Sequence, residues 1–371
     1  MKKDKYETNQ LHRLNIPGLD TRLIKRYWDL VMAHINGPSA VAAGIKVLPK
    51  ANQVFAQTQA LWRFLSNDQI KLTGLATPLL ELAHEGSRDS CDDYVLVAHD
   101  WSCINYSQHH AKTDRLQVPH DCAMGYELQS SLLISDRDGA PICTPALNLA
   151  TNKGVLSTRT DEPLESQKHL DELTQRIAWL QAQDFAKPLV HIVDREADSA
   201  AHLRQWHAGQ HRYLVRVNAG SLAQHEGQSK PLRLIAQQLS FHETRQVDHK
   251  GKPAIQWLAE TDVVLTQPGA SLALRLIVTR IIGPEGELLA EWYLLSNLEA
   301  SVQPERLALW YYWRWRIESY FKLLKEAGQE PESWQQESGA PIFKRLLIAS
   351  QACAMVWRLL RVQGELPSKR C

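Results

Sequence analysis

The sequence predicts an α/β fold: a mixed sheet flanked by helices, carrying a β-rich insertion and preceded by an all-helical N-terminal region. Three observations predict it. Apolar residues recur at helical spacing near both ends of the chain. Two apolar runs of strand length, Tyr94–Ala98 and Pro188–Val193, lead into aspartates. Between residues 213 and 296, short strand-like runs are punctuated by Gly and Pro. The expected division is a helical unit over 1–90, a sheet-bearing core over 91–212 and 297–371, and an insertion over 213–296. With 371 residues, 44% of them hydrophobic, there is ample material for a large core shared by two or three structural units.

From Thr21 to about His34, Leu23, Ile24, Tyr27, Leu30 and Val31 form an apolar stripe, with Arg22, Lys25 and Arg26 on other faces. Gly37-Pro38-Ser39 stops this helix, and a second runs from Gln53 to Leu65. Tyr94–Ala98 reads as a buried strand ending in His99-Asp100. Leu128–Ile134 and Ile142–Leu149, separated by a segment containing Asp138-Gly139, read as a hairpin. Helical periodicity returns from Leu164 to Gln183, and the strand Pro188–Val193 stops at Asp194. Tyr213–Val217, Ala254–Leu258, Asp262–Leu265, Leu272–Thr279 and Trp292–Leu295 are the strand-like runs of the insertion. A helix follows from Pro304 through Glu318, and a last apolar helix from about Ile342 to Leu360.

Composition excludes several classes. The polar opening Met-Lys-Lys-Asp-Lys is no secretory leader, and no apolar stretch reaches the roughly 20 residues of a bilayer span. A cytoplasmic location without membrane contact is therefore expected. Six cysteines (Cys91, Cys103, Cys122, Cys143, Cys353, Cys371) show no C-x-x-C pair, which suits reduced thiols better than disulfides or zinc. Net charge is only +1, which argues mildly against a nucleic-acid partner. The distribution answers that objection: residues 1–63 carry ten Lys/Arg against four Asp/Glu, and residues 301–371 carry eleven against seven. No Walker loop, dinucleotide-binding glycine motif, nucleophile elbow or H-E-x-x-H is present.

Asp100 and Asp194 each follow a buried strand, where open sheets present functional groups at a rim. An Asp in that place also serves as a turn or helix cap, and Asp92, Asp93, Glu196 and Asp198 are near rivals. The stronger signal is the run Tyr311-Tyr-Trp-Arg314-Trp-Arg316-Ile-Glu318-Ser-Tyr-Phe-Lys322-Leu-Leu-Lys325. On a continuous helix Tyr311, Arg314, Glu318 and Lys325 fall within roughly 60° of one another, so that a carboxylate is flanked by cations and a phenol. The plain alternative is a solvated face with an Arg–Glu pair one turn apart.

The spacing Tyr-x2-Arg-x3-Glu-x6-Lys, here Tyr311, Arg314, Glu318 and Lys325, resembles the signature of bacterial insertion-sequence transposases of the DDE class. Val193-Asp-Arg-Glu-Ala-Asp198 and His99-Asp100-Trp-Ser are similar to the settings of that family's two catalytic aspartates, in the same order. The resemblance runs from about residue 15 to 360 and implies an RNase H-like catalytic core. It implies that Asp100, Asp194 and Glu318 are the catalytic metal ligands of two Mg2+ ions, with Mn2+ a possible substitute. One ion activates a water or a 3'-hydroxyl and the other stabilises the leaving oxygen of an in-line phosphoryl transfer.

Tyr311, Arg314 and Lys325 would then hold DNA phosphates near the metals. The family's route runs through a hairpin intermediate, for which Trp292 matches a tryptophan that stacks on a flipped base; its plain alternative is a core residue. Arg216 stands at a basic active-site position, while Asn218 departs from a residue often basic in relatives. Arg22, Lys25, Arg26 and Arg63 are candidates for reading the element's terminal sequence, or else solvated surface. Implied partners are double-stranded DNA, as transposon ends and target, and a second protomer in a synaptic homodimer. Only about 50 residues follow Glu318, fewer than in relatives, which keeps open a catalytically deficient remnant that binds element ends without moving them. A two-carboxylate glycosidase would leave the Tyr/Arg/Lys stripe unexplained.

Overall fold

In the computed structural model, residues 16–36, 51–118, 123–249, 251–266, 269–325 and 330–363 are described. Gly37-Pro38-Ser39, Cys122, and the tail containing Cys371 lie outside them. Helices α1 (Thr21–Asn36), α2 (Ala51–Leu65) and α3 (Leu72–Asp89) precede strand β1 (Val95–Asn105). The chain continues through β2 (Leu116–Gln117), β3 (Met124–Ser135), β4 (Pro141–Thr151), β5 (Gly154–Ser157) and β6 (Thr160–Leu164). Helix α4 (His169–Gln181), β7 (Leu189–Val193), a 3-10 turn (Arg195–Ala197), α5 (Ala200–Ala208) and β8 (Arg212–Val217) follow. Next come β9 (Leu222–His225), β10 (Gln228–Pro231), α6 (Leu232–Ala236), β11 (His242–His249), β12 (Lys252–Leu265), β13 (Leu272–Ile282) and β14 (Leu288–Ser296). Helices α7 (Pro304–Trp313) and α8 (Arg316–Lys325), a 3-10 turn (Pro331–Ser333) and α9 (Gly339–Gln363) complete the order.

Among the described residues the strands form one 14-stranded mixed sheet in the order β10-β9-β12-β13-β14-β8-β7-β1-β3-β4-β5-β6, with β11 on β12 and β2 on β3. Only β1–β7 and β7–β8 pair in parallel, at the centre. β8, grouped by sequence with the insertion, extends this parallel ladder, and β14 joins it antiparallel, so the insertion strands continue the same sheet. One face packs against α1–α3 and α7–α9 through residues such as Leu79, Leu96, Leu132, Ile317 and Leu346. The other packs against α4–α6 through Leu173, Val193, Trp206, Tyr213 and Ile235. The N-terminal helices share the core of the sheet, with Tyr27, Val31, Phe64 and Leu75 all buried. α1 begins where the Asp20 carboxylate accepts the Leu23 N–H at 2.8 Å, a side-chain cap for an otherwise unpaired donor.

Three expectations are corrected. The helix expected from Leu164 starts at His169, because residues 160–164 pair with β5 as β6. The two runs Ala254–Leu258 and Asp262–Leu265 are parts of one strand, paired without interruption to β13 from Ile255↔Ile282 to Leu265↔Leu272. The single helix expected across Tyr311–Lys325 is two helices. Between them the backbone tightens: Arg314 N–H bonds the Tyr311 carbonyl at 3.1 Å, Ile317 the Arg314 carbonyl at 3.1 Å, and Glu318 the Trp315 carbonyl at 3.1 Å. These are i to i+3 bonds, which wind more tightly than an α-helix and swing the side chains to new azimuths.

The break docks on the β3–β4 turn. Gly139 has φ +69°, and a Cβ added there would lie 2.4 Å from Cε2 of Trp313; its carbonyl accepts from Arg316 Nε at 3.1 Å. Gly139→Ala therefore meets both a left-handed backbone penalty and a ring clash, and should lower stability by about 2 kcal/mol or more. Gly286→Ala is the control, since Gly286 also has positive φ but open space around it, and should cost only about 1 kcal/mol. Urea unfolding midpoints of the two variants check this; equal losses would remove the packing role of Gly139.

Candidate functional site

The parallel ladder between β1 and β7 ends at His99↔Val193, so Asp100 and Asp194 both occupy the step just past it. For Asp194 this is also the end of the strand. For Asp100 it is not: β1 continues to Asn105, pairing Asp100 with Ser130 of β3. The expectation of a strand end is corrected, because β3 supplies a ladder on the other side after β7 has left. Side chains alternate along a strand, so Asp100 points away from buried His99 toward the α7–α8 face. Asp194 also serves as the cap of the 3-10 turn, accepting the Arg195 N–H. Glu318 sits in the first turn of α8.

These carboxylates converge on one cation. Arg314 Nη1 lies 3.1 Å from Asp100 Oδ2, and its Nη2 lies 3.2 Å from Asp194 Oδ2 and 3.3 Å from Glu318 Oε1. Its side chain is only 3% exposed, so this is no solvated helix face. Arg216 of β8 approaches Asp194 Oδ1 at 3.5 Å, and the Trp101 N–H donates to Asp100 Oδ1 at 2.8 Å. Burial raises the Asp100 carboxyl above its ordinary range; Arg314 and the Trp101 amide oppose that shift, while Asp194 and Glu196 add to it. Burial likewise raises Glu318 against the pull of Arg314. For Arg314 burial works against the charge, but Tyr311 and the carboxylates outweigh it and hold the guanidinium above its usual value. Three hard oxygen donors facing a shared cation fit a divalent ion such as Mg2+ or Mn2+. As the side chains stand, no three acidic, imidazole or thiol groups among the described residues close around a metal position; these three close on the guanidinium instead.

The other sequence candidates divide. Tyr311 is buried beside the cluster, and its pKa is pushed up to about 12, mainly by burial, against the opposing pull of Arg314 and Arg216. Lys325 is not among the carboxylates: its Nζ donates to the Cys103 carbonyl at 2.5 Å, anchoring α8 to β1. Trp292 is 6% exposed and packs on the Tyr311 ring, centroids 5.6 Å apart, so it is a core residue here and its faces are covered. Trp315, in the same run as Arg314, is 37% exposed and lies 5.5 Å from the Arg314 guanidinium. Arg22, Lys25 and Arg63 are exposed and Arg26 half-buried, on α1 and α2; none forms an ion pair with the three carboxylates. Three of the rival acids are engaged elsewhere, Asp92 with Arg137, Asp93 with Arg306, and Asp198 with the Asn218 amide and Ser221 hydroxyl. The fourth, Glu196, lies near enough to Asp100 to raise its pKa and reaches His169 at 3.9 Å.

No family model and no curated protein matches the chain. Among solved structures, a piggyBac transposase synaptic complex with hairpin DNA, seen by cryo-EM, aligns with 94% of this chain and 74% of its own, at 10% identity and TM-score 0.36. So slight a likeness fixes neither fold nor function.

Behind β1, on the face opposite Arg314, lies a polar layer that no local motif announces. His169 stacks on Trp101 at 5.0 Å and pairs with buried Glu127 of β3 at 3.0 Å. Glu172 holds Arg159 at 2.8 Å and fully buried Arg176 at 3.3 Å. His99 Nε2 meets His191 Nδ1 at 3.0 Å, and burial keeps both rings neutral, His191 lowered to about 3. The hydrogen bond that His169 donates to the Glu127 carboxylate raises the His169 pKa despite partial burial. For Glu127, burial raises the pKa, but His169 and Gln129 outweigh it and leave the value lowered.

The signs fix a window. A raised imidazole pKa gives stability that is complete below the unfolded histidine value, about 6.5, and is lost as pH rises through the folded value. A lowered carboxyl pKa gives stability present above the unfolded glutamate value, about 4.3, and lost as pH falls through the folded one. His169→Gln should therefore cost most between about pH 4.3 and 6.5. With the imidazole 39% exposed, solvent screening limits the loss to under about 1 kcal/mol. Denaturant midpoints of wild type and variant from pH 4 to about 9 check this; a difference that grows above neutrality contradicts it.

Proposed function

We propose that this chain is a DNA transposase of the DDE class with an RNase H-like core, cutting and joining strands at the ends of an insertion sequence through a hairpin intermediate. The observation that carries the reading is the meeting of Asp100, Asp194 and Glu318, distant in sequence, on one buried guanidinium. Mg2+ held by these carboxylates would supply the activation of water or a 3'-hydroxyl and the stabilisation of the leaving oxygen. The resemblance in the order and setting of the acidic motifs gives the reaction class.

Within that reading the chain's own groups have distinct tasks. Asp100 and Asp194 are fixed by the central strands and Glu318 by α8, so their relative placement depends on the packing of α8 against β1. Arg314 and Arg216 present positive charge beside the acids, which suits a phosphodiester held in line for attack. Lys325 anchors α8 to β1 through the Cys103 carbonyl and would offer its remaining ammonium donors to a DNA phosphate. Trp315 offers the open aromatic face at the cluster, the place for an unstacked base, while Trp292 supports Tyr311 from the core. The exposed Arg22, Lys25 and Arg63 and half-buried Arg26 would bind the element's terminal DNA, and a second protomer would complete a synaptic complex.

The test is cleavage of a labelled duplex built from inverted repeats flanking this reading frame, with Mg2+. Asp194→Ala and Glu318→Ala should each lower Mg2+-dependent nicking by about a thousandfold or more while retaining binding to the duplex. Binding without product from wild type would instead favour the end-binding remnant. Trp315→Ala should leave nicking in place and reduce hairpin formation by about tenfold or more, in line with a stacking contribution of about 1–3 kcal/mol per base. Trp292→Ala should register first as lost stability; equal hairpin defects in stably folded versions of both variants would return the stacking role to Trp292.

A further inference from the structure

Arg314 does more than stand near the acids: it fills the space between them. Each of the three carboxylates gives an oxygen to its Nη1 or Nη2 within 3.3 Å. A Mg2+ or Mn2+ ion binds carboxylate oxygen at about 2.0–2.2 Å and needs that same volume. The guanidinium also carries an unmet demand, since its buried Nε has no hydrogen-bond partner. Its position at the junction of α7 and α8 places the side chain at the end of one helix ladder rather than within it. The Asp194 and Glu318 side chains are 31% and 38% exposed, so the cluster opens to solvent at these acids, where a DNA phosphate would approach.

We propose that Arg314 is the built-in counter-cation of the unloaded site, and that it must leave the carboxylates before divalent ions bind, drawn off by a phosphate of the incoming DNA. This rests on the metal-binding reading of Asp100, Asp194 and Glu318. It makes metal loading depend on substrate: without DNA Arg314 occupies the space between the acids and offsets part of their charge, and the ions enter once the guanidinium has exchanged carboxylates for phosphate. The apparent affinity of a ligand falls in proportion to the fraction of molecules whose site is open, so the gate appears as weakened metal binding by the free protein.

The full-length chain is titrated with Mn2+ in the absence of DNA, free Mn2+ being read from its electron paramagnetic resonance signal. Arg314→Gln should bind Mn2+ at least about tenfold more tightly than wild type, and adding Glu318→Gln should abolish the gain. If Arg314→Gln binds no more tightly while wild type shows saturable, Glu318-dependent binding, the gate is overturned and the metal site stands. If neither protein shows Glu318-dependent binding, with or without duplex, both readings fall. A short DNA duplex, corrected for its own Mn2+ binding, should tighten binding by wild type and leave Arg314→Gln unmoved; no response from wild type overturns the coupling to phosphate. Should Arg314→Gln fail to fold, Mn2+-soaked wild-type crystals decide. The guanidinium turned away from the acids supports the gate, and Mn2+ at the carboxylates with all three Arg314 ion pairs intact overturns it.

Discussion

Three carboxylates cannot share a half-buried space without a cation, and the architecture around Asp100, Asp194 and Glu318 answers that constraint. Two like charges about 4 Å apart repel by roughly 4 kcal/mol at the effective dielectric of a protein surface, enough to splay or protonate the acids. A single guanidinium relieves this because its planar fork presents several donors at once, and Arg314 uses two nitrogens to reach all three groups. With Arg216 beside Asp194, the cluster still carries more negative than positive charge. The mutual repulsion of the acids accounts for the buried arginine, and the residual charge is what the proposed divalent ions would answer.

Holding the four groups together is the work of elements from across the fold. The parallel ladder of β1 and β7 brings Asp100 and Asp194 to the same level. The tightened backbone between α7 and α8 turns Arg314 inward and sets Glu318 in the opening turn of the next helix. The β3–β4 turn holds that junction in place by receiving Trp313 on Gly139 and Arg316 on the Gly139 carbonyl. On the reverse face, the Glu127–His169 pair and the Trp101 ring back β1 directly behind the acids. Charge repulsion at the site is thereby contained by packing and hydrogen bonding elsewhere.

Much of this was legible in the residues. The strand before Asp194, the hairpin and the terminal helices carried their periodicity openly, and the spacing of Arg314 and Glu318 marked the segment that matters. The extension of β1 past Asp100 was not legible, because Asp100–Asn105 mixes polar and apolar residues and is held by pairing with β3. Nor was the helix break: Tyr311–Lys325 consists of acceptable helix formers, and the interruption follows from what Trp313, Arg314 and Arg316 dock against. Trp292 and Trp315 are alike as letters, and only burial separates the core ring from the open one.

By itself the sequence determined the mixed α/β class, the main apolar strands and helices, and the identity of the acidic and basic residues, since these depend on local periodicity and side-chain chemistry. The tertiary structure decided that Asp100, Asp194 and Glu318 meet, that Arg314 rather than solvent receives them, and that the insertion strands continue the central sheet. Those outcomes are contacts between segments tens to hundreds of residues apart, set by strand register and helix docking, and no local pattern encodes them.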